Sequence, residues 1–334
     1  MKERLNRLFK AARKAEGLII LTHNDPDPDA IAAAVALHYL LAEKEGIEAP
    51  VAYRGIVGRA ENRALVRYLN YPLRRLTGAD LRSGAPLALI DTQPGAGNNA
   101  LPDGTDPVIV LDHHPLRDLT AGAAYSEVRP ETGATSTILT EYLQAAKLEP
   151  PSSLATALFY GIKTDTLGLT RGVTPDDVAA YTYLQPLVDV DGLVEIERAQ
   201  VPGDYFKGLV GALRAARVYN NVVVSYVGPM DRPDLAAEMA DLLLRLKGAR
   251  WSICLGAYKD SIVLAVRTLN RQGHAEQLVS RVVGDRGTAG GHGRMAGGHV
   301  RLEGAEPKPV ARQIIRRVLH YLHVPPDTPP QRLL

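Results

Sequence analysis

Short apolar runs alternate with stretches of helical periodicity through the first half of the chain. Runs such as GLIILTH and PLALIDT are bounded by turn residues, which predicts buried strands. The predicted strands are 17–23, 49–55, 86–92 and 107–114, and the predicted helices cover about 29–46, 62–69, 133–146, 152–163 and 175–184. This alternation predicts an α/β fold with a parallel sheet and helices on both faces. In such sheets, binding sites form at the carboxyl ends of the strands.

The segment 186–204 interrupts this alternation, because it contains two prolines and a charged, helix-like piece. We therefore predict three parts: an α/β domain over 1–185, a linker over 186–204 and a smaller α/β domain over 205–325. The smaller domain is predicted to contain helices at 204–217, 231–246 and 307–322, strands at 219–227, 250–258 and 261–269, a further helix, and a glycine-rich tract at 284–300. The tract holds too many glycines for the interior of an element, and the proline-rich tail 325–334 is expected to fray.

The composition narrows the class of protein. A chain of 334 residues exceeds the usual size of a single core, which agrees with two domains. Lys and Arg exceed Asp and Glu by only 39 − 37 = 2, so any nucleic-acid partner should be short and held at a localised site. The single Cys254 excludes an internal disulfide. No apolar run reaches the roughly 18–20 residues that span a bilayer, so we expect a cytoplasmic protein without a membrane partner.

The segment LTHNDPDPDA, residues 21–30, places Asp25, Asp27 and Asp29 within five positions just after an apolar strand. Like charges this close repel each other by roughly 1 kcal/mol per pair in water. Either a helix N-terminus or a metal ion could offset that repulsion. The two prolines are expected to hold the loop extended, so that Asp27 and Asp29 share one side and His23 closes the site from the strand.

Further acidic and imidazole groups follow other predicted elements: Asp91 ends one strand, Asp112, His113 and His114 end the next, and Asp165 ends a helix. Each has an ordinary alternative, such as a turn residue or a helix cap. Their common position at one edge of a parallel sheet instead favours a metal site. Carboxylates with a minority of imidazoles suit Mn²⁺ best, with Mg²⁺ as the alternative, and the absence of cysteine ligands disfavours structural zinc.

The ordered set HxxxDxD, then Asp, then Asp-His-His, then Asp resembles the signature of the DHH phosphoesterase superfamily. The sequence GGHGRMAGGH resembles the glycine-histidine motif of its C-terminal substrate-binding domain (DHHA1). The resemblance covers nearly the whole chain. It implies a parallel-sheet catalytic domain, a smaller α/β substrate domain and an active site in the cleft between them.

The resemblance also implies a role for each matching residue. One metal ion would be held by His23, Asp27 and Asp91, and a second by Asp29, Asp91, His113 and Asp165, with Asp91 bridging the two Mn²⁺ ions. His114 would face the substrate phosphate and Asp112 would orient a histidine. Asp25 stands where the family often has Asn, which implies a role in loop structure. In the second domain, the implied substrate residues are Arg267, Gly290, Gly291, His292 and Arg294.

Members of the family include RecJ-like exonucleases, nanoRNases that also dephosphorylate pAp, dinucleotide phosphodiesterases and family II pyrophosphatases. We expect a stand-alone, manganese-dependent phosphodiesterase that converts short RNA or DNA oligonucleotides or linear dinucleotides to 5′-mononucleotides, and also pAp to AMP. The alternatives are a cyclic-dinucleotide phosphodiesterase and, in a different class, a catalytically silent nucleotide-binding regulator. A homodimer is compatible with the sequence.

Overall fold

A computed structural model describes residues 1–270 and 272–334, except for the side chain of His292, and it divides into two units, Met1–Gln200 and Val201–Leu334. Elements of the first unit are α1 (Lys2–Ala12), β1 (Ile19–Thr22), α2 (Pro28–Glu45), β2 (Val51–Tyr53), α3 (Ala60–Leu69), β3 (Arg74–Arg75), α4 (Gly78–Arg82), β4 (Leu87–Ile90), β5 (Ile109–Asp112), β6 (Tyr125–Val128), α5 (Thr135–Ala145), α6 (Ser152–Asp165), α7 (Pro175–Leu184) and α8 (Val190–Glu197). Among the described residues, no helical segment combines the length and the hydropathy of a membrane span.

The sheet of the first unit has six parallel strands in the order β3-β2-β1-β4-β5-β6, which confirms the predicted α/β class. Ile20 of β1 pairs with Val51 on one side and with Ala88 on the other. The chain therefore extends the sheet in one direction from β1 and returns to extend it in the other direction from β4. A crevice forms at the carboxyl ends of strands where the order reverses in this way.

The helices cover the two faces of this sheet unequally. The long helices pack on one face, whereas Leu21 and Leu89 on the opposite face pack against residues such as Leu101 and Ala123. Crossovers between parallel strands are right-handed, so the connections that follow β3, β4 and β5 pass over that second face. In this sequence those connections consist of the five-residue α4, loops and a short 3₁₀ helix.

The start of helix α2, shortly after β1, is fixed by its local sequence. Pro28 occupies the first turn, where a missing N–H has no cost, and the carboxylate of Asp27 caps the helix by accepting from the Ala30 amide at 3.0 Å. Gly46 ends the helix in the left-handed conformation (φ 65°). The helix is rich in alanine and almost entirely buried, and it packs against α5 and α6.

The second unit contains α9 (Gly203–Ala215), β7 (Arg217–Tyr219), β8 (Val222–Pro229), α10 (Asp234–Leu243), β9 (Trp251–Tyr258), β10 (Ser261–Thr268), α11 (Ala275–Val283), β11 (Gly287–His292), β12 (Met295–Arg301), α12 (Pro307–Tyr321) and β13 (Gln331–Arg332). Its seven described strands follow the order β11-β12-β10-β9-β8-β7-β13, and among them only β8 and β9 are parallel. Helices α11 and α12 pack on one face, and α9 and α10 pack on the other.

Two boundary predictions differ from the structure. Most of the segment 186–204, predicted as a linker, belongs to the first unit, because α8 buries Ile196 in the core of that unit. The tail, predicted to fray, forms β13, in which Gln331 pairs with Val218 of β7.

The glycine tract, predicted to lie outside regular elements, forms the hairpin β11–β12 at the edge of the second sheet. Glycine is needed there for close packing. A Cβ atom on Gly298 would lie 2.9 Å from the side chains of both Val279 and Val283 of α11. The missing side chain therefore lets α11 approach the hairpin closely, and this packing offsets the entropic cost of glycine in a strand.

Candidate metal centre

Six acidic and imidazole side chains converge at the carboxyl edge of the first sheet, near the point where the strand order reverses. They come from the segment after β1, the start of α2, the ends of β4 and β5, and the end of α6. These residues are His23, Asp27, Asp29, Asp91, His113 and Asp165, and the structure brings all six together.

Asp91 lies at the middle of this cluster. Its Oδ2 is 3.5 Å from Nε2 of His23, which is also 3.8 Å from Oδ1 of Asp27. Its Oδ1 is 3.5 Å from Nε2 of His113, which in turn is 3.2 Å from Oδ2 of Asp165. The ligand atoms of His23, Asp27 and Asp91 all lie within 4.8 Å of one another, and the same holds for those of Asp29, His113 and Asp165. Asp91 therefore faces two neighbouring groups, one with each oxygen.

Backbone contacts fix both histidines with Nε2 towards the carboxylates. Nδ1 of His23 lies 2.8 Å from the carbonyl oxygen of Asn24, and Nδ1 of His113 lies 3.1 Å from that of Thr132. A carbonyl only accepts, so each Nδ1–H donates and the lone pair of a neutral ring lies on Nε2. Nε2 of His113 is buried and has no hydrogen-bond partner among the described residues. A lone pair facing carboxylate oxygens in this way fits a metal cation between them.

The electrostatics of the cluster also favour a cation. Burial raises the pKa of the Asp29 carboxyl, and the nearby charges of Asp91 and Asp165 raise it further. Burial lowers the pKa of the His23 imidazole, but Asp27 and Asp91 outweigh this effect and hold it well above its usual value. Both shifts arise because the cluster concentrates negative charge away from water. Oxygen and imidazole donors around such a charge suit a divalent metal ion.

Thr135 is a supporting residue that the sequence analysis missed. Its hydroxyl donates to Oδ1 of Asp91 at 2.8 Å, and its amide donates to Oδ2 of Asp29 at 2.7 Å. The Ser136 amide donates to the other oxygen of Asp29 at 2.7 Å. The first turn of α5 therefore holds two of the acidic side chains. A threonine at a helix start is common, and no sequence signal separates this one from an ordinary helix residue.

Asp112, His114 and Gln93 form a second network beside the cluster. Oδ1 of Asp112 accepts from Nδ1 of His114 at 2.8 Å, and Oδ2 accepts from Nε2 of Gln93 at 2.6 Å. Gln93 is buried, and its Oε1 accepts from the Arg117 amide and the Thr120 hydroxyl, both at 2.9 Å. These bonds fix the Asp112 carboxylate, which in turn fixes the ring of His114. The sequence analysis assigned Asp112 an orienting role but did not identify Gln93.

Replacing Gln93 with alanine should therefore disturb His114 while sparing the metal ligands. We expect turnover to fall about 10- to 100-fold, the usual cost of removing a hydrogen bond behind a functional histidine. Bound metal should stay at the wild-type level. Kinetic assays and metal analysis of the same preparation check this expectation. Loss of metal in proportion to activity would instead place Gln93 in support of the ligands.

Asp25 lies in the same loop but in none of the potential ligand groups among the described residues. Its Oδ1 accepts from the Ile56 amide at 2.7 Å, and its own amide donates to the Arg54 carbonyl at 2.9 Å. Its backbone has a positive φ of 56°. Asp25 thus connects the loop after β1 to the loop after β2, and its carboxylate accepts a backbone hydrogen bond within this connection.

The predicted substrate residues of the second unit lie near the β11–β12 hairpin. Arg267 is buried in β10, where its Nε donates to Oδ1 of Asp241 in α10. Gly290 and Gly291 lie in β11, and Arg294 lies in the turn, where its carbonyl accepts from the Thr268 amide at 2.9 Å. The His292 side chain lies outside the described part of the chain. Arg267 is held by an internal ion pair, and contact of these residues with substrate stays a prediction.

Comparison with known proteins shows that the region containing the cluster matches a known protein family. The model of the DHH family N-terminal domain matches residues 18–162, which include every candidate metal ligand except Asp165. An uncharacterized protein of Methanocaldococcus jannaschii is 34% identical over 324 residues, covering 95% of this chain and 66% of that protein. A probable manganese-dependent inorganic pyrophosphatase of Deinococcus radiodurans is 32% identical over 176 residues, covering 52% of this chain and 55% of that protein.

The chain thus spans about half to two thirds of the length of these relatives. Among solved structures, an exopolyphosphatase-related protein from Bacteroides fragilis superposes with a TM-score of 0.66 at 15% identity. The superposition covers 96% of this chain and 97% of that one. At this identity the likeness concerns the fold, and it extends over both units.

Proposed function

This chain belongs to the DHH phosphoesterase family, and from that premise we propose that it is a manganese-dependent phosphodiesterase acting on short oligonucleotides. The products would be 5′-mononucleotides, with linear dinucleotides and pAp as further substrates. The observation that carries the proposal is the position of Asp91 between two groups of ligand atoms.

The charge and number of the donors support a pair of divalent cations. Four carboxylates and two neutral imidazoles balance the charge of two such ions. His23 and Asp27 would hold one ion, Asp29, His113 and Asp165 would hold the other, and Asp91 would contribute to both. The mixture of oxygen and imidazole donors favours Mn²⁺ over Mg²⁺. When bound, such a pair supplies a water molecule activated near neutral pH and offsets the charge of the phosphate group.

The protein groups around this centre position the reactants. Thr135 holds Asp91 and Asp29 in place, so the ligands need little rearrangement. Burial lowers the pKa of the His114 imidazole, but the hydrogen bond to Asp112 and the nearby Asp91 charge outweigh it and raise the pKa. A raised pKa favours the protonated ring, which can donate a hydrogen bond to a phosphoryl oxygen, where charge develops during hydrolysis. This supports the assignment of His114 to the substrate and of Asp112 to orienting it.

Hydrolysis of inorganic pyrophosphate is the second candidate, because several relatives are named as probable manganese-dependent inorganic pyrophosphatases. Their matches cover about half of this chain. The hairpin β11–β12 of the second unit carries the sequence that resembles the glycine-histidine motif of the DHHA1 domain, and this supports a nucleotide substrate over pyrophosphate.

A substrate panel distinguishes these functions. We expect purified protein with Mn²⁺ to show its highest kcat/KM on RNA of about two to five nucleotides. The assay compares labelled di- to decanucleotides, pAp, cyclic dinucleotides and pyrophosphate. The Asp91→Asn variant, purified in parallel, controls for contaminating nuclease. Activity on pyrophosphate alone, or on none of these compounds, would refute the proposal.

A further inference from the structure

The two units carry opposite net charges. Residues 1–200 contain 20 Lys and Arg against 26 Asp and Glu, a net charge of −6. Residues 201–334 contain 19 against 11, a net charge of +8. The small net charge of the whole chain therefore conceals a strongly basic second unit. Such asymmetry indicates an anionic partner for the basic part.

Much of the excess lies on α12. This helix contains Lys308, Arg312, Arg316 and Arg317, all exposed, and no acidic residue. Residues four apart lie on the same side of a helix, so the first three form a line. At 1.5 Å per residue the line is about 12 Å long. Like charges at this spacing destabilise a helix, so the row is not explained by helix stability.

The neighbouring elements add to this positive charge. Arg317 donates from Nη1 to the Val282 carbonyl at 3.3 Å, which places α12 beside the end of α11 and its exposed Arg281. Arg286, in the short segment after α11, donates from Nη1 to Oε1 of Gln313 on α12 at 3.2 Å. We call the exposed side chains of Arg281, Lys308, Arg312, Arg316 and Arg317 the basic face.

Few acidic groups offset the basic face. Glu303 lies 3.6 Å from Arg301, which also donates to the Asp285 carbonyl. Within the described ranges, none of the five cations of the basic face forms an ion pair with a carboxylate. Their charge is therefore available to an external anion rather than used inside the unit.

The surroundings favour a nucleic acid over a membrane. A helix that binds a lipid surface inserts exposed apolar side chains between the headgroups. The apolar side of α12, with Ala311, Ile314 and Val318, is buried against the sheet. The described part of α11 and α12 exposes no large hydrophobic side chain. A row of cations without exposed apolar side chains beside it is complementary to the repeated phosphates of a nucleic-acid backbone.

We propose that the basic face binds the sugar–phosphate backbone of a single-stranded nucleic acid independently of its sequence, and RNA is the case tested. This interaction goes beyond the proposed catalytic function, because it concerns chains longer than the predicted two- to five-nucleotide substrates. It would hold the protein on a longer RNA whether or not that RNA is cleaved.

The test compares two variants of the full-length, metal-loaded protein. In the first, Lys308, Arg312 and Arg316 are each replaced by glutamine, which is a good helix former. In the matched control, Lys2, Lys10 and Lys14, which are exposed on or just after α1, are replaced in the same way. The probe is a fluorescent, nuclease-resistant 20-nucleotide 2′-O-methyl phosphorothioate oligouridylate, and its anisotropy is measured from 50 to 300 mM salt.

Each phosphate contact on a single strand contributes about 0.7 to the slope of log K against log salt. The α12 variant should therefore lose about 2 from that slope and about 100-fold in affinity at 0.1 M salt. Its activity on a dinucleotide should match that of wild type, which separates this test from that of the catalytic function. Equal losses in both variants, or an unchanged slope, would overturn the proposal. Equally tight binding to anionic phospholipid vesicles would reassign the basic face to a membrane.

Discussion

Replacement of Asp91 by asparagine is expected to remove metal binding and turnover together while leaving the fold intact. Asp91 directs one oxygen to each of the two ligand groups, so the substitution weakens both at once. Removing a hydrogen bond behind a metal ligand costs about 10- to 100-fold in affinity. Losing the charge of a shared ligand should cost more than about 100-fold for each ion. Metal analysis after dialysis and single-turnover assays measure the two effects.

The Asp91→Asn substitution should leave the backbone conformation at this position unchanged. Asp91 has a positive φ of 59°, a conformation that asparagine adopts more readily than most residues. The amide oxygen can still accept from Thr135, so thermal unfolding should change little. The loss of activity can then be attributed to the metal ligands.

Asp25→Asn provides a matched control in the same loop region. It makes the same chemical change at another residue with positive φ, but Asp25 uses its oxygen to accept from the Ile56 amide, which asparagine can also do. We expect near-normal metal content and activity. Wild-type metal content in Asp91→Asn, or equal losses in the two variants, would show that the metal centre is assigned to the wrong residues.

The adjacent histidines should respond differently to the same substitution. His113→Gln should lose bound metal, because Nε2 of His113 faces Asp91 and Asp165. His114→Gln should retain metal and lose about 10²- to 10³-fold in kcat, the usual cost of removing one group that stabilises the transition state. The reason is that His114 is fixed by Asp112 and acts on the substrate in our proposal.

Measuring metal content and kcat on both variants makes this comparison decisive. Nδ1 of His114 also lies 3.6 Å from Oδ1 of Asp91, and one potential ligand atom from each of Asp91, His113 and His114 lies within 4.8 Å of the other two. If His114→Gln loses metal as fully as His113→Gln does, His114 is itself a ligand. The contact with substrate must then come from another group.

The sequence predicted the elements around the site well because strong signals mark them. Buried parallel strands are continuous apolar runs, and the polar residues after Leu21, Ile90 and Leu111 mark where the strands end. Those ends must meet at one edge of the sheet, so the cluster of side chains could be anticipated from the chain alone. The bounds of α2, α6 and β10 likewise differ little from the predicted ones.

The supporting residues could not be predicted in the same way. Thr135 and Gln93 matter because of what lies beside them after folding, and their local sequences are those of ordinary helix and loop residues. The pairing of Arg267 with Asp241 joins β10 to α10 and has no local signature. The hairpin β11–β12 was missed because glycine propensity argues against strands, whereas packing against α11 decides the outcome here.

The spread of the ligands along the chain has a consequence for biosynthesis. His23 and Asp165 are the first and last of the six residues, and the intervening chain contains nearly the whole sheet. A partly synthesised or misassembled chain cannot offer the complete set of donors, so it would bind metal only weakly. A ligand that binds only the folded state stabilises that state. Metal binding would therefore be tight only in chains whose first unit is completely folded. In our proposal, hydrolytic activity would then appear only after the first unit has completely assembled.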